Sequence, residues 1–398
     1  MSIFATIIHF EMQKNKSYLA VILPVMFGFF VMGFVDLIGT AINYVKVDFG
    51  LNDSTANLLS LSCFLWFLVL SIPTGFLMNR HGRKNTVLIS FLFTMIGLMI
   101  PFCVYSFGAI VVAFVFIGIG NTIIQVALNP LVTNVVSKDK QTGALTLGQF
   151  VKAIASWLGP NVAAWLAGTA LGWIYVFPIF GLITLLACIW LWFTSIGETE
   201  KNKTASFVAT FALLKDKKIL MFFIGILVLV GVDVGLNVTL PKYLMEKCSS
   251  ITEISQADQL KSYYYFIVRA FGAFLGGIIL MKVSERIFYT VSALLAFAGF
   301  IMLLFSSSQA GILASTVIIA LGYSNLFAII FSSALKHLPK NANEISSLLI
   351  VGVSGGVIAT LLGVVSDVFG TQWAAMAIIA VIWLYMICLI QPISKKTI

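Results

Sequence analysis

Charge is what this 398-residue chain has least of: Asp, Glu, Lys and Arg make up 10% of it, against 60% hydrophobic residues. Soluble domains carry about 25% charged residues, so the shortfall excludes an ordinary cytosolic enzyme and a disordered chain. Cysteine is scarce as well. Cys63, Cys103, Cys188, Cys248 and Cys388 are odd in number and scattered singly, without the spacing that a disulfide framework or a metal site needs. The three histidines, His9, His81 and His337, lie outside the long apolar runs or at their ends, so no imidazole is placed for a proton relay inside one. Neither a phosphate-binding glycine loop nor a nucleophile with its base is visible, which argues against an enzyme and predicts no cofactor and no metal.

What the chain has in abundance is apolar length. A helix needs about 20 apolar residues to cross a hydrocarbon core about 30 Å thick. Runs of that kind fall at 18–45, 55–78, 86–107, 109–136, 144–170, 172–196, 218–245, 261–281, 286–306, 309–335, 344–369 and 372–391. The longest polar interval, 197–217, divides them six and six, predicting a bundle over 1–196, a cytoplasmic linker over 197–217 and a second bundle over 218–398. With the amino terminus inside, 18 of the 24 Lys and Arg fall on the cytoplasmic side, 4 outside, and 2 (Lys152 and Arg269) within spans. This positive-inside bias predicts both termini in the cytoplasm of a cell with the chain in its inner membrane. It also accounts for the net charge of +9 and removes nucleic acid as a partner, leaving the lipid bilayer and a small solute, with the chain as a monomer.

Polarity recurs every third span. Spans 3, 6, 9 and 12 hold no charged or Asn side chain in their interiors, whereas spans 1, 4, 7 and 10 hold Asp36, Thr40 and Asn43; Asn121, Gln125 and Asn129; Asp233 and Asn237; and Asn325. Polar groups are costly in hydrocarbon unless they face protein or water, so one set of helices faces lipid and another lines a cavity, as in a two-half transporter. Asp36 in "GFVDLIGT" and Asp233 in "VGVDVGLN" sit at similar depths in the first span of each half. Counting 1.5 Å per residue from the cytoplasmic ends, Asp233 and Arg269 differ by roughly 5 Å and are predicted to pair. Asp36 and Lys152 differ by roughly 15 Å on the same count, which predicts no direct bridge and turns Lys152 toward Gln125 or the solute.

The segment "GFLMNRHGRKNT", with Gly75, Arg80, Gly82 and Arg83, resembles the loop signature of the major facilitator superfamily, with Asn79 where that signature has Asp. The resemblance implies an all-α membrane protein of 12 transmembrane helices in two pseudo-symmetric six-helix bundles, and a gating role for this loop. A narrower resemblance rests on "GNTIIQVALNPLVTNV", "LGQFVKAIASWLGP", "LGYSNLFAIIFSSALKHL" and "EISSLLIVGVSGGVIATLLGVVSD". These segments are similar to the fucose permease group, the fucose-galactose-glucose:proton symporters, and imply a sugar or related polyol carried inward with a proton. In that group a coupling Glu stands where this chain has Gln125, and an Asn where it has Lys152.

Amides both donate and accept, which suits vicinal hydroxyls. The solute is therefore expected at Asn121, Gln125, Asn129, Gln149, Lys152, Asn237 and Asn325, with Asp36 and Asp233 available for proton coupling. The glycines at 272, 276, 352 and 356 have the spacing of close helix packing, and the triplet Tyr263 to Tyr265 has the position of an interfacial aromatic belt. An uncoupled facilitator and an exporter of amphipathic molecules are the alternatives on the same fold.

Overall fold

The computed structural model of the chain describes residues 19–51, 55, 58–137, 140–197, 207–252, 254–280 and 282–393. Residues 198–206 of the expected linker and the lysine-bearing ends of the chain lie outside the described residues. Every regular element among the described residues is helical. Ten helices are long and apolar enough to cross a membrane: α1 (Leu19–Ile42), α2 (Leu58–His81), α3 (Arg83–Cys103), α4 (Phe107–Val135), α6 (Trp173–Phe193), α7 (Lys217–Lys247), α8 (Gln256–Ile279), α9 (Glu285–Phe305), α10 (Gln309–His337) and α11 (Pro339–Ser366). Two more stand at the expected fifth and twelfth positions: α5 (Gln141–Ala167), which carries Gln149 and Lys152, and the shorter α12 (Gln372–Cys388). The third helix starts a turn earlier than its hydropathy predicts, because Gly82 with φ 89° turns the chain sharply between α2 and α3, its N–H bonding the Met78 carbonyl at 2.8 Å.

The internal repeat is written in glycines. Gly97 of α3 packs against Ile117 of α4 closely enough that a Cβ would lie 2.8 Å from the isoleucine Cγ1; Gly299 of α9 meets Ile319 of α10 at the same 2.8 Å. Gly120 and Gly322 likewise face the carbonyls of Ser90 and Ser292. Each of these four pairs of positions is 202 residues apart, so the α3–α4 and α9–α10 contacts are two copies of one packing arrangement, with small residues admitting close helix approach.

Between the halves, α2 and α4 pack on residues 342–357 of α11, while α5 packs on α8 and on the second half of α10. Prolines supply part of the lattice. Pro130 within α4 has no N–H to give the Val126 carbonyl, and Ser346 of α11 donates to that oxygen instead, at 2.7 Å. In α7, Pro241 similarly releases the Asn237 carbonyl, which Lys261 takes at 3.2 Å.

The two ends of the molecule are tied differently. At the end that holds Arg80, Arg83 and Lys84, hereafter the basic end, Asp216 caps α7 by accepting from the Lys218 and Ile219 amides at 2.8 and 3.1 Å, with His337 Nε2 3.0 Å from its other oxygen. Burial pushes the Asp216 carboxyl up, but the His337 hydrogen bond and the backbone donors outweigh it and hold it below its ordinary 3.8. At the opposite end, Asp48 accepts from Trp173 Nε1 at 2.9 Å and from the Tyr105 hydroxyl, fastening α1 to α6.

Candidate solute and proton site

Each of the four charges left in mid-membrane finds an opposite charge. In the second half, Arg269 Nη1 donates to both oxygens of Asp233 at 2.9 and 2.8 Å. The Tyr265 hydroxyl adds a bond at 2.6 Å, and Asn237 Nδ2 another at 3.2 Å. The guanidinium lies 4.6 Å from the centre of the Tyr323 ring, a favourable cation–π stack. Asp233 thus receives four hydrogen bonds, and its charge is balanced within its own bundle.

Tyr265 reaches Asp233 because α8 opens into a π-helical stretch at Ser262–Ile267. The extra residue per turn rotates Tyr265 inward, where it is fully buried, while Tyr263 and Tyr264 stay exposed. The triplet is therefore not one aromatic belt; its third member is part of the charge cluster. Nothing in the local residue pattern announces a π turn, and Tyr323 was equally hidden in an ordinary apolar span.

The first half departs from expectation. Lys152 Nζ lies 3.9 Å from Asp36 Oδ2, although depth counting put these residues roughly 15 Å apart. Two physical reasons account for the difference. The α5 helix begins at Gln141, three residues before the hydropathic run, which places Lys152 deeper. Gly33 also lets α1 and α5 meet without a side chain between them: a Cβ there would lie 2.6 Å from the Lys152 carbonyl. Asp36, one turn along, then comes level with Lys152 and with Ser156, whose Oγ donates to Asp36 Oδ2 at 2.5 Å.

This pair is looser than the first. At 3.9 Å the ammonium is beyond hydrogen-bond reach of the carboxylate, and no hydrogen bond to it is recorded among the described residues. Lys152 and Asp36 keep 18% and 31% of their side-chain area exposed. Gln149, three residues before Lys152 on the same face of α5, is also half-buried.

The amides of α4 donate within the protein, while Asn129 Oδ1, like Asn325 Oδ1 of α10, is buried without a partner. Asn121 Nδ2 donates to the Met32 carbonyl at 2.8 Å, where α1 tightens into a 3-10 turn at Gly33–Leu37. Gln125 Nε2 donates to Asn121 Oδ1 at 2.6 Å, and Asn129 Nδ2 to the Gln125 carbonyl at 2.9 Å. Asn325, at the break between the two parts of α10, donates to the Gly272 carbonyl at 3.0 Å. Gly272 and Gly276 make room for that break, so the glycine spacing seen in the sequence serves Ser324 and Asn325. Phe34 stacks on Phe180 at 4.1 Å and meets Phe30 edge-on, placing these rings in the packing between α1 and α6.

The loop residues divide. Gly75 abuts Ser347 of α11 and Gly82 makes the turn, whereas Arg80 is exposed. Arg83 crosses to the second half, donating from Nε to Asn343 Oδ1 at 2.9 Å, and its Nη1 holds the Pro130 carbonyl at 2.9 Å. Asn79 donates to Glu344 at 3.1 Å and accepts from Asn343 at 2.5 Å. A second cross-bundle knot, which the sequence did not signal, centres on Thr142. Its Oγ1 donates to Glu285 at 2.6 Å, accepts from Lys336 at 2.8 Å and lies 2.5 Å from Ser332 Oγ, while Lys336 and Glu285 form an ion pair. Both knots lie at the basic end and seal it.

Thr142→Val should loosen that seal. Loss of charged-partner hydrogen bonds costs about 1.5–3 kcal/mol, so the population of conformers open at the basic end should rise roughly tenfold or more. Faster amide exchange at the start of α5 and in residues 342–351 checks this; unchanged exchange there would show that the knot carries no closing energy.

Residues 25–250 match the profile of the Major Facilitator Superfamily. The chain belongs to that family. It is 26% identical over 386 residues to a glucose/galactose transporter of Brucella abortus, covering 92% of both proteins. In fold it is similar to FucP in the outward conformation, with a TM-score of 0.83 and 18% identity over 96% of this chain and 100% of that one. It is also similar to the proton:xylose symporter XylE, with a TM-score of 0.77 and 13% identity over 96% of this chain and 97% of that one. The chain is accordingly a membrane transporter of the major facilitator fold, and its relatives are transporters, not enzymes.

Proposed function

We propose that this transporter imports a sugar or related polyhydroxylated solute by alternating access, coupled to a proton, from an inner membrane in which the basic end faces the cytoplasm. The observation that carries the reading is the loose, partly exposed Asp36–Lys152 pair, with Ser156 donating to Asp36, set in a membrane core whose basic end is sealed. A sealed basic end with an accessible centre corresponds to the outward-facing state, ready to take solute from outside. The similarity to a glucose/galactose transporter and to FucP supports a sugar.

The roles divide by how fully each group is already bonded. Asp36 has one protein donor and open space, so it carries the proton. Asp233 is saturated by Arg269, Tyr265 and Asn237 and braces α7 against α8. Gln149 and Lys152 present polar heads to the solute and Ser156 holds Asp36, while Asn121, Gln125, Asn129 and Asn325 hold the helices in the shape the site needs. Asn237 lies between the two groups, and the domain division at 197–217 lets the bundles rock.

Uptake of labelled monosaccharides into proteoliposomes with an imposed inward proton gradient tests this. Accumulation above the external concentration, abolished by a protonophore, is expected. Equal internal and external solute at steady state would favour an uncoupled facilitator, a reading with some footing in the neutral, internally bonded Gln125. No uptake of any hexose, deoxyhexose, sugar acid or polyol would overturn the proposal.

A further inference from the structure

We propose that the solute carries a single carboxylate, as a hexuronate or hexonate does, and that Lys152 binds it. This rests on the reading of the chain as a proton-coupled sugar importer and specifies the substrate of that same site.

Three observations point there. First, Lys152 is the mid-membrane cation least engaged by the protein. Its ammonium stands 3.9 Å from Asp36 Oδ2 and makes no hydrogen bond to it, whereas Arg269, the other cation and about as exposed, is held by two hydrogen bonds from Nη1 to Asp233 and by its stack on Tyr323. Secondly, Gln149 lies on the same face of α5, half-buried, so an amide and an ammonium are offered side by side. A carboxylate accepts strongly from both, and charge-assisted bonds of this kind are about twice as strong as neutral ones. A neutral hydroxyl makes weaker use of an ammonium.

The third observation is charge balance. Asp36, Lys152, Asp233 and Arg269 sum to zero, so the empty carrier can reorient without moving an uncompensated charge through the bilayer. A proton on Asp36 leaves a net charge of +1. A neutral sugar would leave that charge standing in a low-dielectric core, at a cost of several kcal/mol. One carboxylate cancels it, and the loaded carrier is again neutral. A phosphate ester, with close to two negative charges, would overshoot. Lys152 therefore exchanges partners: it leaves Asp36 for the solute carboxylate as Asp36 takes the proton, and returns when both depart inward.

Purified full-length protein in proteoliposomes, under an inward proton gradient, distinguishes the possibilities. Labelled galacturonate or glucuronate should be taken up in preference to galactose or glucose by roughly tenfold or more, the worth of one charge-assisted hydrogen bond. Unlabelled uronate should compete with hexose uptake, and an imposed potassium diffusion potential should leave uronate uptake unchanged, because no net charge moves. Lys152→Gln should lower the uronate-to-hexose ratio by roughly tenfold or more, and Lys152→Arg, which keeps the charge, should restore it. Hexose uptake that excess uronate does not inhibit, or uronate uptake driven by the potential, would overturn the carboxylate and leave the sugar reading standing. Absence of uptake for both acidic and neutral sugars would overturn the sugar reading itself.

Discussion

Arg269→Ala should leave little folded protein. Removing the cation strands Asp233, which then keeps only Tyr265 and Asn237 as side-chain donors, inside a bundle where its charge has no partner. Breaking a buried pair by deleting one member costs about 3–5 kcal/mol, a large share of the marginal stability of a folded chain. The loss extends to Tyr323, whose ring carries the guanidinium at 4.6 Å. The double variant Asp233→Leu with Arg269→Met removes both charges and should recover most of the folded fraction, since replacing a buried pair with apolar residues is often neutral or stabilising. Monodisperse yield by size-exclusion chromatography in mild detergent, with residual helicity on heating, reads both. A stable Arg269→Ala variant would mean that solvent reaches Asp233 freely and that the pair is not a brace.

Asp36→Asn should abolish concentrative uptake while leaving the fold intact. Ser156 donates to Asp36 Oδ2, a bond an amide oxygen can also accept, and Asp36 is already partly exposed, so the stability cost stays small. The transport cost is large. With one proton per solute, a gradient of two pH units is worth about 2.7 kcal/mol, or roughly hundredfold accumulation; with no titratable group at position 36 the ratio should fall to about one. Exchange of internal for external solute without a gradient should remain detectable, because that step needs no net proton movement. Full accumulation by the variant would remove Asp36 as carrier and send the search to Glu285 and Glu344 at the sealed end.

How much of this was legible beforehand depends on the length scale of the physics. Helix positions followed from the bilayer's demand for apolar length, and the family signature sat in contiguous residues from Gly75 to Thr86. The repeat was legible too, though the Asp36 and Asp233 correspondence was its weaker trace. The 202-residue spacing of Gly97 with Gly299 and of Gly120 with Gly322 is more exact, and it becomes meaningful only once the packing partners Ile117 and Ile319 are seen. The site was less legible. Amides at positions 121, 125 and 129 announce a polar face of α4, but whether such a face greets solute or binds its neighbours depends on the next helix. Here the Met32 carbonyl and the α4 backbone take them up.

Composition and spacing alone determined that this chain lives in a membrane and that four charges, Asp36, Lys152, Asp233 and Arg269, are left within its spans and cancel. These are one-dimensional facts, because hydrocarbon screens every residue for polarity wherever it lies along the chain. Only the tertiary structure decided who meets whom. Gly33 brings α1 onto α5 and sets Asp36 beside Lys152; the π turn in α8 swings Tyr265 onto Asp233; Pro130 frees a carbonyl that Ser346 claims from the opposite bundle. Each depends on a glycine, a bulge or a missing N–H at one point, where a shift of one residue redirects a side chain by about 100° around the helix.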